Sequence, residues 1–309
     1  MWWKRLDEHE KLLPHLLNVM IVFVCHNCKY NHRVSSVRHF VSFGTGRKGW
    51  SAALCRLRIE IVRLDPQAQV WLFDESNAGD DIDGLDVGLS EFARLHPRGY
   101  GYWVWKPWVL LQVMKQAQPG DIVFYLDAGC TVHTSPASKL RYEWYLGRIR
   151  TQGRLLFQQK YKELNWTKRD VTEHFQLRKD DLESGQLFGG VQGHLVAQSS
   201  IEFVEAWLRA CTMDSGRLLL DVSSKANEDE RFIEHRHDQS ILSCLSKTRK
   251  IELLPDETFF HPHWNRDGDG YPFWATRKRS GLPAWMGYYA PMAVVEGRLR
   301  KFVRRSAVS

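Results

Sequence analysis

Two acids and one glycine-rich turn are the residues of this 309-residue chain whose placement suggests chemistry. Asp127 follows directly on the apolar run Ile-Val-Phe-Tyr-Leu at 122–126, and Asp238 heads a segment in which Ile241, Leu242 and Leu245 recur with helical spacing. A carboxylate at a strand end can hold a cation or a ribose hydroxyl, and one at a helix start can stabilise developing positive charge or simply cap the helix. Between a candidate strand and a candidate helix, Gly44-Thr45-Gly46-Arg47-Lys48-Gly49 spells G-x-G-x-x-G. Glycines there let the backbone approach a pyrophosphate at a helix N-terminus, or make only a tight turn. Asp74 stands about 25 residues past Gly49, slightly later than a ribose-binding acid is expected, and reads equally as a strand-end turn residue. A P-loop is excluded because Trp50 occupies the place of the phosphate-binding lysine.

These residues need elements to position them, and the periodicity supplies an α/β order. Residues 38–43 read as a first strand; Trp50, Leu54, Leu57, Ile61 and Leu64 then recur at spacings of four and three, with Arg56, Arg58, Glu60 and Arg63 on the polar side of an amphipathic helix. Asp65-Pro66 ends it, residues 68–73 form a second strand, and one βαβ unit is complete by Asp74. Pro107 is expected at the first position of a helix burying Leu110, Val113, Met114 and Ala117. The strand at 122–126 is apolar throughout, as in the centre of a sheet covered on both faces. Ser199 or Ser200 with Glu202 opens another helix carrying Ile201, Val204, Leu208 and Cys211 inward. The expected class is α/β with a mainly parallel sheet and helices on both faces.

Composition narrows the partners. With 43% hydrophobic and 26% charged residues the chain is neither disordered nor fibrous, and 43 Lys+Arg against 36 Asp+Glu, a net +7, suggests an anionic ligand or surface. Six dispersed cysteines make no disulfide framework and point to a reducing compartment. Cys25-His26-Asn27-Cys28 with His32 has zinc-like spacing, but no second half-site follows. The apolar stretch 12–25 is short of the about 20 residues a spanning helix needs and carries Pro14, His15 and Asn18, so residues 1–35 read as an N-terminal arm. Residues 291–309 form a basic tail with Arg298, Arg300, Lys301, Arg304 and Arg305; at about 1 kcal/mol per cation near an anionic leaflet, it could attach the protein to a membrane surface. No nucleic-acid-binding module is recognisable. Among the 13 tryptophans, Trp103 and Trp105 are spaced as on one face of a strand, and one or two of the set are expected to line a site.

The longest constellation is Gly99-Tyr100-Gly101-Tyr102-Trp103-Val104-Trp105-Lys106-Pro107-Trp108, a helix, then Tyr125-Leu126-Asp127-Ala128-Gly129. With Leu187-Phe188-Gly189-Gly190-Val191-Gln192-Gly193 and His237-Asp238-Gln239-Ser240 it resembles the nucleotide-diphospho-sugar transferases of the GT-A glycosyltransferase fold. That resemblance implies a catalytic domain over 36–290 and transfer of a sugar from a nucleotide-diphosphate donor to a glycan, lipid-linked or small acceptor, as in polysaccharide biosynthesis, leaning towards retention. It implies Asp127 and Asp238 as catalytic groups, a donor site of Gly44, Thr45, Gly46, Arg47, Asp74, Lys106 and Asp127, and an acceptor side of Gly189, Gly190, Gln239 and Trp264. A divalent cation, Mn²⁺ or Mg²⁺, would be held by Asp127 with His261 or His263, as a late histidine does in glycogenin-like members. The family's usual Asp-x-Asp is broken here by Gly129, however, and Lys106 and Arg47 would replace part of the missing charge. The expected location is cytoplasmic, with the tail as a peripheral membrane contact. Two other readings stay open: a nicotinamide- or flavin-dependent oxidoreductase using the turn at 44–49, and a non-catalytic sugar-nucleotide or glycan-binding protein.

Overall fold

The computed structural model describes residues 36–45, 49–222, 228–258 and 268–279. The N-terminal arm with its Cys25 and Cys28 pair, Gly46, Arg47, His261, His263, Trp264 and the basic tail lie outside the described residues.

The strands are β1 Arg38–Phe43, β2 Gln69–Phe73, β3 Ile122–Leu126, β4 Thr131–Val132, β5 Arg154–Lys162, β6 Gly185–Leu195, β7 Leu254–Pro255 and β8 Phe273–Trp274. The five long helices are α1 Trp50–Leu64, α2 Trp105–Gln116, α3 Pro136–Gln152, α4 Gln198–Gly216 and α5 His237–Thr248. Six strands form one sheet in the order β2-β1-β3-β6-β5-β7, and β4 pairs with β8 beside it. The pairs β1–β2, β1–β3 and β5–β7 are parallel, while β6 runs antiparallel to both β3 and β5. The sheet is therefore mostly parallel but mixed.

All five residues of β3 are buried, and they divide between two cores. Val123 and Tyr125 join the helices α2, α4 and α5 on one face; Ile122, Phe124 and Leu126 join α1 and α3 on the other. The continuous apolar run thus has the cause expected of it, a central strand covered on both sides.

Several local expectations shift. Helix α2 begins at Trp105, two residues before Pro107, which still lies in the first turn where its missing N–H costs nothing. Asp238 is the second residue of α5 rather than its cap, the N-cap position being Arg236. Trp103 and Trp105 do not share a strand: Trp103 sits in a left-handed turn and Trp105 opens α2. Arg56 and Glu60, read as part of a solvated helix face, are fully buried as an ion pair with Nη1 2.8 Å from Oε2.

Candidate functional site

From β1 the chain returns through α1 to β2 on one side, and β3 then enters on the other side of β1. Such a reversal leaves a crevice at the carboxyl ends of the two central strands, where ligands of open α/β sheets bind. Val41 pairs with Tyr125, so Gly44 and Asp127 leave adjacent strands at the same end. A Cβ at Gly44 would lie 2.8 Å from Trp50 Cβ, which fixes glycine there by the packing of α1, and Gly49 turns into that helix at φ 74°.

Lys106 is the centre of the site. Its Nζ lies 3.3 Å from Asp127 Oδ1 and 3.2 Å from Asp238 Oδ2, and donates to Gly189 O at 3.4 Å. One ammonium thus serves two carboxylates that stand 111 positions apart in sequence. Burial alone would weaken the ammonium, but the charges of Asp127 and Asp238 outweigh it and raise its pKa. Burial pushes Asp238 up to about 6 against the opposing pull of Lys106. The two acids differ in access: the Asp127 side chain is 41% exposed and that of Asp238 only 4%. Asp127 is therefore the accessible one of the two acids, whereas Asp238 lies buried against Lys106.

A strained turn delivers Lys106. Residues 99–103 all have positive φ, at 61°, 55°, 79°, 51° and 60°. Left-handed backbone costs about 1–2 kcal/mol for each non-glycine residue, here Tyr100, Tyr102 and Trp103. Opposing contacts hold it: Trp105 Nε1 donates to Gly99 O at 3.0 Å, Tyr102 Oη donates to Asp221 Oδ2 at 3.0 Å, and Tyr102 stacks on His237 at 4.2 Å. His237 is itself left-handed at φ 50° and precedes Asp238. Burial lowers its pKa to about 4, so the ring is neutral near pH 7 and Nδ1–H donates to Leu219 O at 2.7 Å. The two strained segments lock each other, and with them the two ends of the Lys106–Asp238 pair.

Around Asp127 the fit is close. Tyr125 Oη donates to Oδ1 at 2.8 Å, and a Cβ on Gly190 would fall 2.5 Å from Oδ2, so position 190 accepts only glycine without displacement. Gly189 N donates to Gln239 Oε1 at 3.0 Å, Gln239 Nε2 to Gln186 Oε1 at 2.8 Å, and Gln186 Nε2 to the buried Glu163 Oε1 at 3.1 Å. A relay of amides thereby ties the β6 glycines to α5. Beyond Asp127, the buried Arg56 donates to Ala128 O at 2.9 Å and Cys130 O at 2.7 Å, while Glu60 accepts from Val132 N at 2.9 Å. The ion pair satisfies the backbone of the 128–132 turn from beneath.

Asp74 accepts from Ser76 N at 2.8 Å and from Ser76 Oγ, which with Asn77 closes a turn; these bonds lower its pKa. Its described bonds are those of a strand-end turn. Thr45 lies beside the residues left undescribed, so the donor-side loop is seen only at Gly44, Thr45 and Gly49.

A divalent cation at Asp127 would need further oxygen or nitrogen ligands. Among the described residues no three His, Cys, Asp or Glu side chains come together to hold a metal. Asp127 Oδ1 already carries a tyrosine hydroxyl and an ammonium, and Gly129, in the place of the second acid, has its Cβ direction filled by backbone: a Cβ there would lie 2.9 Å from Arg277 Cα. Of the expected ligands only Asp127 is described, since His261 and His263 lie outside the described residues.

No family model matches the chain, and none of the curated proteins does. Among solved structures, mouse xyloside xylosyltransferase 1 in its apo form is similar over 80% of this chain and 100% of that one, at 9% identity and TM-score 0.39. A glycosyltransferase involved in glycosylating the major capsid of PBCV-1 is similar over 77% of this chain and 91% of its own, at 10% identity and TM-score 0.41. The galactosyltransferase LgtC, in complex with donor and acceptor sugar analogues, is similar over 75% and 83%, at 12% identity and TM-score 0.40.

The residues not anticipated as part of the site are Tyr125, Gln186, Glu163, the Arg56–Glu60 pair and the segment 276–279. Only Arg56 and Glu60 offered a signal, their i, i+4 spacing, and that spacing is shared with ordinary surface pairs.

Proposed function

We propose that this protein transfers a glycosyl group from a nucleoside-diphosphate sugar, with Asp127 as the acid that meets the donor. The observation that carries the reading is the exposed Asp127 carboxylate braced by buried Lys106 at the sheet's strand-order reversal, beside Gly44 at the end of the neighbouring strand β1. A rigid, half-open acid at that crevice can accept hydrogen bonds from a ribose or sugar hydroxyl and hold the anomeric carbon in line with an acceptor. Lys106 fixes Asp127, and the charges of Asp127 and Asp238 keep Lys106 charged. The glycines at 189 and 190 let Gln239 and Asp127 pack close against the β6 backbone, which fixes the acid in place. The acceptor belongs to the class of glycan, lipid-linked or small hydroxyl compounds.

Thermal shift with UDP, GDP, CMP and NAD⁺, each with EDTA or Mn²⁺, tests this. A ligand at about 100 times its Kd stabilises by about 2.7 kcal/mol, and each kcal/mol moves the midpoint of a chain this size by roughly 2–4 °C. A shift with UDP or GDP supports the transferase and names the donor class; a shift with CMP alone overturns the diphosphate donor, and one with NAD⁺ alone overturns transfer in favour of an oxidoreductase. Asp127→Asn is expected to slow transfer by at least about tenfold, a loss of about 1.4 kcal/mol of transition-state stabilisation. Turnover at the wild-type rate in that variant would remove Asp127 from the mechanism and leave a reading in which the site only binds.

A further inference from the structure

We propose that the donor's diphosphate is held by the basic segment Arg277-Lys278-Arg279 rather than through a divalent cation. The inference rests on the sugar-transfer reading and specifies how that site neutralises its leaving group.

Three observations meet at Gly129. First, the segment lies directly over this glycine. Lys278 N donates to Gly129 O at 2.8 Å and Thr276 Oγ1 to the same oxygen at 3.0 Å, so the strap is bonded where a second carboxylate would otherwise stand. Second, the strap is anchored from below. Arg56 Nη2 donates to Lys278 O at 3.3 Å, and Thr276 shares a 2.8 Å hydrogen bond with Thr131, which fixes the backbone of the strap. Arg277 and Arg279 are exposed and Lys278 is half-buried. Third, the strap reaches the other wall of the crevice. The Arg279 guanidinium sits 4.8 Å from the centre of the Trp50 ring, and Trp50 opens the helix that follows the glycine turn.

The charge count favours this segment. Lys106 is already committed to two carboxylates, leaving no net positive charge for a ligand at the acids themselves. A nucleoside diphosphate leaving a sugar carries more than one negative charge, and it leaves readily only when cations meet that charge. Among the described residues, none of Arg277, Lys278 and Arg279 has a carboxylate within ion-pair distance. Arg277 is also close enough to Arg236 to add its like charge to the burial that lowers Arg236 to about 10. The strap therefore carries three cations past Gly129, with Arg279 over Trp50 across the crevice, and guanidinium forks suit phosphate oxygens.

The test is calorimetric binding of UDP, GDP, CDP and ADP to the full chain, in EDTA and again in Mn²⁺. The nucleotide that binds is expected to do so in EDTA, with Kd changed by less than about threefold on adding Mn²⁺, and more weakly as salt rises. Replacing both arginines, Arg277→Gln with Arg279→Gln, is expected to weaken that nucleotide by about tenfold or more without moving the thermal midpoint, because both side chains are exposed. The charge-keeping pair Arg277→Lys and Arg279→Lys should recover most of the affinity. Binding that requires Mn²⁺ or Mg²⁺, or a glutamine variant that binds as the wild type does, overturns the inference while leaving sugar transfer standing. Failure of every nucleoside diphosphate to bind in either buffer overturns the transfer reading itself.

Gly129→Asp gives a second, independent arm, since it recreates Asp-x-Asp. Its Cβ would meet Arg277 Cα at 2.9 Å, so the strap must move. The expected result is a lower thermal midpoint and diphosphate binding weakened by about tenfold, with no response to Mn²⁺. Mn²⁺-stimulated binding in this variant would show that the strap yields to a metal and would overturn the inference.

Discussion

Lys106→Met is expected to lower both stability and activity more than any other single change at the site. The substitution removes a buried ammonium and leaves Asp238, 4% exposed, without the charge that compensates it. Breaking one partner out of a buried ion pair costs roughly 3–5 kcal/mol. For a chain of this length that corresponds to a midpoint lower by roughly 6–20 °C. The cost has a ceiling, because Asp238 can take up a proton and its pKa already lies at about 6. The double variant Lys106→Met with Asp238→Asn should therefore regain a large share of the lost stability, since no charge is left stranded. Activity should not return with it, because Asp127 then has only the Tyr125 hydroxyl to fix it. The check is denaturant unfolding of the four proteins of this cycle, together with their transfer rates. Additive stability losses in the double variant would mean that Lys106 and Asp238 do not depend on each other, and the description of the site as one ammonium shared by two acids would fall.

The first βαβ unit and the central strand were legible because a single period runs through each. Strand β1 spans 38–43 and α1 spans 50–64, where apolar spacing switches from strand to helix, and β3 occupies the apolar run 122–126. The mixed character of the sheet was less so. Strand β6 is glycine-rich with few apolar residues and carries no mark of direction, and it runs antiparallel to β3 through 191–195. The left-handed turn at 99–103 was invisible for a different reason. Glycines at 99 and 101 permit such backbone, but the aromatic residues between and after them oppose it, and the turn survives through contacts made with Asp221 and His237 from far along the chain.

Within the site, sequence pointed to Asp127, Asp238 and Lys106 as separate candidates, and their sharing of one ion pair is a tertiary fact with no local signature. The Arg56–Glu60 pair shows the opposite failure. Charged residues at i and i+4 usually face water, and here the same spacing is turned inward because the 128–132 turn needs donors and an acceptor for its buried backbone. Gly129 looked like a loss when read as a broken motif. Its structural reason is the strap packed against it, which brings its own positive charge.

Asp238→Asn is expected to remove a pH dependence that the wild-type protein shows between about pH 4 and pH 6. Burial raises the folded pKa of Asp238 to about 6, above the ordinary carboxylate value it has when unfolded. Between those two values the folded state keeps a proton that the unfolded state has released. Stability from this group therefore falls as pH rises through that window, by about 3 kcal/mol in all, and is flat above it. This is the reverse of a salt-bridged surface acid, which stabilises more as pH rises. Activity should run the other way. Ionised Asp238 holds the Lys106 charge that fixes Asp127, so kcat should climb as pH passes about 6 and then level off. In Asp238→Asn the unfolding free energy should lose its fall between pH 4 and 6. Its kcat should drop by about 100-fold near pH 7 and lose the rise through pH 6, while donor affinity, set by groups that touch the donor, changes by less than about threefold. A residue with only a packing role would lower stability evenly across pH and leave the shape of the activity profile alone. An unchanged profile in the asparagine variant would thus strip Asp238 of its part in positioning Lys106, and an equal loss of donor affinity would place it in contact with the donor instead.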